Sequence, residues 1–166
     1  MIEYQLSLDI KAILRGLSDT STILSAFVAS IPEKELHIKR SENFWSIAEH
    51  VAHLAKVQPM GLERITRIID EDNPEFVPFL PNEDESQEPV PLPDIAQSLE
   101  NFKKVRNVIV ERLTEAVPED WKRLAVHPEY KEYGLYIFAR HIFMHDYWHM
   151  YRMEELWLTR DTYLKK

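Results

Sequence analysis

Five of the seven histidines stand in two tight groups: His50 and His53, three apart, and His141, His145 and His149, four apart each time. On a helix, residues three or four apart share a face, with Cβ atoms ~5–6 Å from one another, so two imidazoles of one group can converge on one ion. A third ligand must come from another element, because one helix face cannot close a tetrahedron, and the other group offers it. The chain has no cysteine, which removes thiolate ligands, cysteine nucleophiles and disulfides together and leaves imidazole and carboxylate as ligands. Three neutral imidazoles leave a divalent ion its full charge and at least one open position, the arrangement of catalytic rather than structural zinc. An ion so held can bring the pKa of a bound water to ~7, or ionise a bound thiol. Zinc or nickel is the first expectation, with manganese and iron as further imidazole-compatible metals. The plainer alternative is that these histidines face solvent or bond neighbouring carbonyls. Spacing alone also leaves open whether His141/His145 or His145/His149 is the ligating pair.

Four stretches with helical periodicity must position these groups. The first runs from about Leu6 to Ser30, with Leu6, Ile10, Ile13, Leu14, Leu17, Leu24, Phe27 and Val28 repeating at three and four, and Pro32 ends it. The second begins near Ser46, where Ser46 and Glu49 read as a capping box, and runs to about Asp72, with a kink expected at Pro59. The third starts near Pro93–Asp94 and stops before Pro118. Its apolar stripe is Ile95, Leu99, Phe102, Val105, Ile109 and Leu113, with Lys and Arg on the other face. The fourth follows Gly134 and reaches about Arg160; around its histidine stripe most residues are apolar or aromatic, which predicts a central, buried helix. Between the second and third lies an acidic, proline-containing connection, Asn73 to Leu92, read as a solvated crossover or an arm near a site. Helices of ~30–40 Å pack naturally as a bundle, so the expected fold is all-α, one four-helix-bundle domain over residues 1–166.

Composition narrows the function classes. The 166 residues are 45% hydrophobic with a net charge of −8, a globular composition whose surface repels nucleic-acid backbone and anionic lipid. Three glycines are few for an all-β domain. The N-terminal segment carries acidic residues where a signal peptide would be basic, and no stretch approaches the ~20 apolar residues of a membrane span. A cytoplasmic protein with a small-molecule substrate, and neither a nucleic-acid nor a membrane partner, is the expectation.

The segment Trp45-Ser46-Ile47-Ala48-Glu49-His50-Val51-Ala52-His53-Leu54 resembles the Trp-Ser/Thr start and later His-Leu of the DinB-like (DNA-damage-inducible) superfamily, and His145-Asp146-Tyr147-Trp148-His149 resembles the His-Asp-x-x-His on that family's last helix. The resemblance implies an up-down-down-up four-helix bundle, often a homodimer. It also implies a metal on His53, His145 and His149, and an activity as a metal-dependent hydrolase or as a transferase using a low-molecular-weight thiol of the bacillithiol or mycothiol kind. The sequence departs from the family at Arg152, where glutamine is frequent, and at Pro59, inside a usually regular helix.

Glu49 is a candidate general base, or simply completes the helix cap. His141 is a candidate for proton relay or substrate orientation, or a hydrogen-bonded structural histidine. Arg152 is a candidate clamp for a substrate carboxylate, or a partner of Glu154 or Glu155. Asp146, adjacent to a ligand and ~100° round the helix from it, is expected to bond a neighbouring helix or a group that supports a ligand. Metal binding without catalysis is the competing function.

Overall fold

Four long helices form over the periodic stretches: Ile2–Ala29, Ile47–Asp70, Ile95–Glu115 and Leu135–Leu158, referred to below in that order as first to fourth. The structure is a computed structural model that describes residues 2–42, 44–78 and 94–163, with side chains of the first helix from Asp9 onward. Short helical turns at Glu33–Leu36, Asp120–Lys122 and Asp161–Tyr163 punctuate the connections, and among the described residues there are isolated bridges but no strand.

The helix starts follow the local chemistry. Ser46 accepts from the Glu49 amide at 3.2 Å while the Glu49 carboxylate accepts from the Ser46 amide at 2.7 Å, so the expected capping box is formed. Asp94 caps the third helix by accepting from the Gln97 amide at 2.9 Å. The second helix continues through Pro59 as one element. Before the fourth helix the extended backbone at Gly134 passes so close to another strand of chain that a Cβ there would lie 2.4 Å from the Arg123 carbonyl oxygen, which leaves room only for glycine.

The first and second helices each pack on the third and fourth, so the diagonals of the bundle are first–second and third–fourth. Contacts set the directions. Gln58 meets Arg106 and Asp70 meets Arg112, so the second and third helices run parallel. Tyr136 meets Asp9 and Tyr147 meets Gly16, so the first and fourth are parallel. His53 meets His145 and His50 meets His149, so the second and fourth are antiparallel. The topology is therefore up-down-down-up, as expected. Parallel neighbours explain the long connection: the chain must travel back ~36 Å, 24 residues at 1.5 Å, before the third helix can start. Residues 74–76 of that connection run beside Val126 through amide bonds of 2.9 Å; residues 79–92 of the Asn73–Leu92 reading lie outside the described residues.

Two apolar clusters fill the bundle. One gathers Leu17, Ile65, Ile109, Leu113, Leu135 and Ile142; the other gathers Leu24, Val51, Leu54, Phe102, Met150 and Met153. Between them, at mid-height, lie buried polar side chains from all four helices, Thr20 and Ser21, Gln58, Arg106 and Asp146, and the buried His50 and His149 adjoin this belt on the side of the second cluster. Two expectations are corrected here. The fourth helix is not buried all round, because Met144, Trp148 and Tyr151 at spacings of four and three form an exposed face. Nor is every basic residue of the third helix on its outer face: Arg106 is fully buried, and Val105 is only half-buried. Positions 95, 99, 102, 106, 109 and 113 follow the strict three-four repeat, so the packing register runs through Arg106.

Candidate metal centre

The polar belt brings three imidazoles of two helices to one point. His53 Nε2 lies 3.3 Å from His145 Nε2, which lies 3.1 Å from His149 Nε2. One ligand atom from each of His53, His145 and His149 can be chosen so that all lie within 4.8 Å. His145 and His149 share a face because they are four apart, and His53 faces them because the second helix runs antiparallel to the fourth across that contact.

The spacing can be tested against a cation. Nitrogens bound at ~2.0–2.1 Å in a tetrahedron stand roughly 3.3–3.4 Å apart, close to the 3.3 and 3.1 Å on either side of His145 Nε2, while all three stay within 4.8 Å. Protons alone serve the cluster poorly, since a neutral imidazole nitrogen is either a donor or an acceptor and His145 Nε2 faces two partners at once. A shared cation satisfies all three lone pairs. Two of the rings, His53 and His149, are also held in the neutral, ligating form. Burial first, then the neighbouring His145 and Lys56, pushes His53 down to about 4. Burial first, then His145, His53 and His50, takes His149 down to about 2. The residues fit a divalent metal.

His50 completes the arrangement in a way the spacing did not single out. Its Nδ1 stands 2.8 Å from His149 Nδ1, on the opposite side of the His149 ring from Nε2, so a single proton between them fixes which nitrogen of His149 faces the cluster. Burial, then Arg152 and His53, keeps His50 near 4 and so neutral. The signal in the sequence was the three-residue step from His50 to His53, which puts both on the inward side of one helix. Trp45 covers the cluster, with ring centroids 5.0 Å from His53, 5.3 Å from His50 and 6.0 Å from His149.

The Glu49 carboxylate is engaged by the Ser46 amide and by Lys39 at 2.6 Å; burial raises its pKa, but those hydrogen bonds outweigh burial and the net shift is downward. Arg152 pairs with Glu155 and lies over the Phe44 ring at 5.6 Å. His141 stands at a rim, its ring 6.5 Å from that of His145, and its pKa is lowered by partial desolvation and by His145, Arg64 and His127. Asp146, completely buried, pairs at 2.5 Å with the completely buried Arg106, whose other nitrogens donate to Gln58 Oε1 at 3.0 and 3.1 Å. This link crosses the third–fourth diagonal directly beneath the histidines and ties three helices at the level of the site.

Space approaches the cluster from two sides. On one side His53 and His145 end a partly open cavity of about 270 Å³ that runs between the second and fourth helices and is flanked by residues of the 127–133 loop. On the other, Phe44, Trp45, Trp148 and Arg152 wall an outer groove that reaches His50, His53, His145 and His149. Arg64, Tyr133 and His127, at the far end of the cavity, were not singled out from the sequence; they come from two separate parts of the chain, and no local spacing links them.

A family model described as the DinB superfamily matches residues 17–153 of this chain. Among solved structures, YfiT from Bacillus subtilis, described as a probable metal-dependent hydrolase with an unusual four-helix bundle topology, superposes with a TM-score of 0.72 at 17% identity, over 89% of this chain and 85% of its own. At that identity the likeness is one of fold. No curated protein matches the sequence. No helix among the described residues is long and apolar enough to cross a membrane.

Proposed function

The chain belongs to the DinB superfamily, and on that premise we propose that it is a divalent-metal-dependent enzyme that transfers a low-molecular-weight thiol to a small electrophilic substrate. The observation that carries the proposal is the position of the His53–His145–His149 cluster between a partly open cavity and a separate outer groove, which gives two reactants separate approaches to one centre. A divalent ion on these imidazoles would supply Lewis-acid chemistry, with zinc or nickel the first expectation. The chain's own residues hold His53 and His149 neutral by burial, orient His149 through His50, shield the centre with Trp45 and receive the electrophile in a mostly apolar cavity. Hydrolysis is the second reading, with water in place of the thiol; the description of YfiT as a metal-dependent hydrolase on the same fold favours it. Metal binding without turnover is the third, and the engagement of Glu49 with Ser46 and Lys39 favours that one, since it leaves the base candidate occupied.

Elemental analysis of purified protein should find about one divalent ion per chain. His53→Ala and His145→Ala should each lower metal affinity by at least ~10-fold, while folding is retained. Undiminished metal in both variants refutes the centre. Thiol-conjugation and ester or amide substrate panels, run with and without chelator, then separate the readings: chelator-sensitive conjugation supports transfer, chelator-sensitive hydrolysis replaces it, and no turnover in either leaves only binding. We assign the activity to the cytoplasm and to a homodimer, the latter supported by the exposed Met144, Trp148 and Tyr151 face; sedimentation as a monomer at all concentrations removes the dimer.

A further inference from the structure

The cavity that ends at His53 and His145 carries a buried positive charge at its other end. Arg64 is only 8% exposed. Its described partners are both neutral oxygens: the Tyr133 hydroxyl at 3.0 Å and the Val77 carbonyl at 2.7 Å. Among the described residues no carboxylate pairs with it. Of the two acids that line the cavity, Asp146 is taken by Arg106 and Glu129 is exposed. A guanidinium taken out of water without an anion is strongly disfavoured, and Phe76 and Phe138, whose ring faces lie 5.3 and 5.9 Å away, offset only part of that. Three of its five hydrogens remain after the Tyr133 and Val77 bonds, enough for one planar oxyanion. Tyr133, 3% exposed, accepts from Arg64 and so keeps its own O–H to donate beside the guanidinium; burial raises its pKa, which holds that proton.

We infer that Arg64 and Tyr133 bind the carboxylate of a monoanionic substrate whose apolar body lies along the cavity toward His53 and His145. The inference rests on the proposed function in taking the imidazole cluster as the reacting end. The body of the ligand is read from the walls between: Val57, Gly61, Ile109, Phe138 and Ile142 are apolar, and a side chain at Gly61 would point toward Ile109 and Ile142 and narrow the channel. His53 and Arg64 are eleven residues apart on one helix, ~16 Å along its axis, so with both side chains reaching inward an acid with an extended apolar chain spans the gap. A carboxylate fits better than a phosphate ester, because one guanidinium balances one charge and a second charge buried there would be unpaired.

The test is calorimetric titration with three probes, 4-phenylbutyrate, its uncharged counterpart 4-phenylbutanamide, and 3-phenylpropyl phosphate, on metal-loaded and on chelator-treated protein. The acid should bind at least ~10-fold more tightly than the amide in both states, as loss of a charge-assisted bidentate contact implies. Arg64→Met should abolish that preference with unchanged bound metal, and Arg64→Lys should keep part of it. Equal binding of acid and amide overturns the inference, as does no binding of the acid at millimolar concentration. A preference that disappears with chelator assigns the anion to the metal and overturns it too, and tighter binding of the phosphate overturns the carboxylate. The wild-type acid–amide comparison does not depend on any variant folding. Failure of the metal centre would show as absent metal with the preference for the acid intact, so the two readings fail separately.

Discussion

His149 uses both faces of its ring: Nε2 turns to His145, and Nδ1 lies 2.8 Å from His50 Nδ1. An imidazole that gives one nitrogen to a cation must carry its proton on the other, and the neutral His50 is placed to accept it. His50 is therefore a positioning residue, acting on the centre through His149. His50→Ala should weaken metal affinity by roughly 10–100-fold without abolishing it, the usual effect of removing the partner of a ligating histidine. Competition against a chromophoric chelator measures it, and affinity equal to wild type in the variant would show that His149 needs no such partner. The same scale explains why Glu49 and Arg152 attract attention in the sequence yet sit in ordinary partnerships. The spacings that suggest reactivity, Ser-x-x-Glu and Arg-x-x-Glu, are also those of a helix cap and of an intrahelical ion pair, and those are the contacts formed.

At the scale of helices, the centre depends on keeping the second and fourth in register, and the Gln58–Arg106–Asp146 link at the same height does this. With both charged partners fully buried, removing either leaves the other uncompensated. Asp146→Ala should lower stability by about 3–5 kcal/mol, whereas the paired change Arg106→Met with Asp146→Leu should recover most of it. Urea denaturation reads both values, and a single variant losing less than ~1 kcal/mol would show that the pair is not what holds the helices there. The first helix approaches the fourth closely by another device. A Cβ at Gly16 would lie 2.4 Å from the Phe143 ring, so the absent side chain lets the two helices meet where Tyr147 donates to the Gly16 carbonyl.

For the whole molecule, a bundle with a polar belt across its middle is sensitive to acid when metal is absent. His50 and His53 are held at about 4 and His149 at about 2, against about 6.5 for free imidazole. Between pH 6.5 and 4 the unfolded chain then binds more protons than the folded one. Stability is complete above about 6.5 and is lost progressively as pH falls toward the folded values. Chelator-treated protein should show its melting temperature fall on the order of 5–10 °C from pH 7 to 5, before most carboxylates titrate. A flat profile over that range would mean that the imidazoles are not held neutral by the fold.

Much of this was legible in the order of residues alone. Helix positions and the Ser46 cap depend on local periodicity and on motifs contained within a few turns, which a one-dimensional pattern can carry; the up-down-down-up order and the choice of His53, His145 and His149 are implied only by the resemblance of two short motifs to the DinB superfamily. Arg106 could have been found, since it occupies a core position of the three-four repeat, but a basic residue reads as surface until a partner is known. That partner, Asp146, is forty residues away, as His50 and His149 are ninety-nine apart, and Arg64 meets Tyr133 across sixty-nine. Burial of a charge, the nitrogen an imidazole turns inward and the shape of a cavity are properties of surfaces in contact. They exist only once separate helices pack, so only the tertiary structure could decide them.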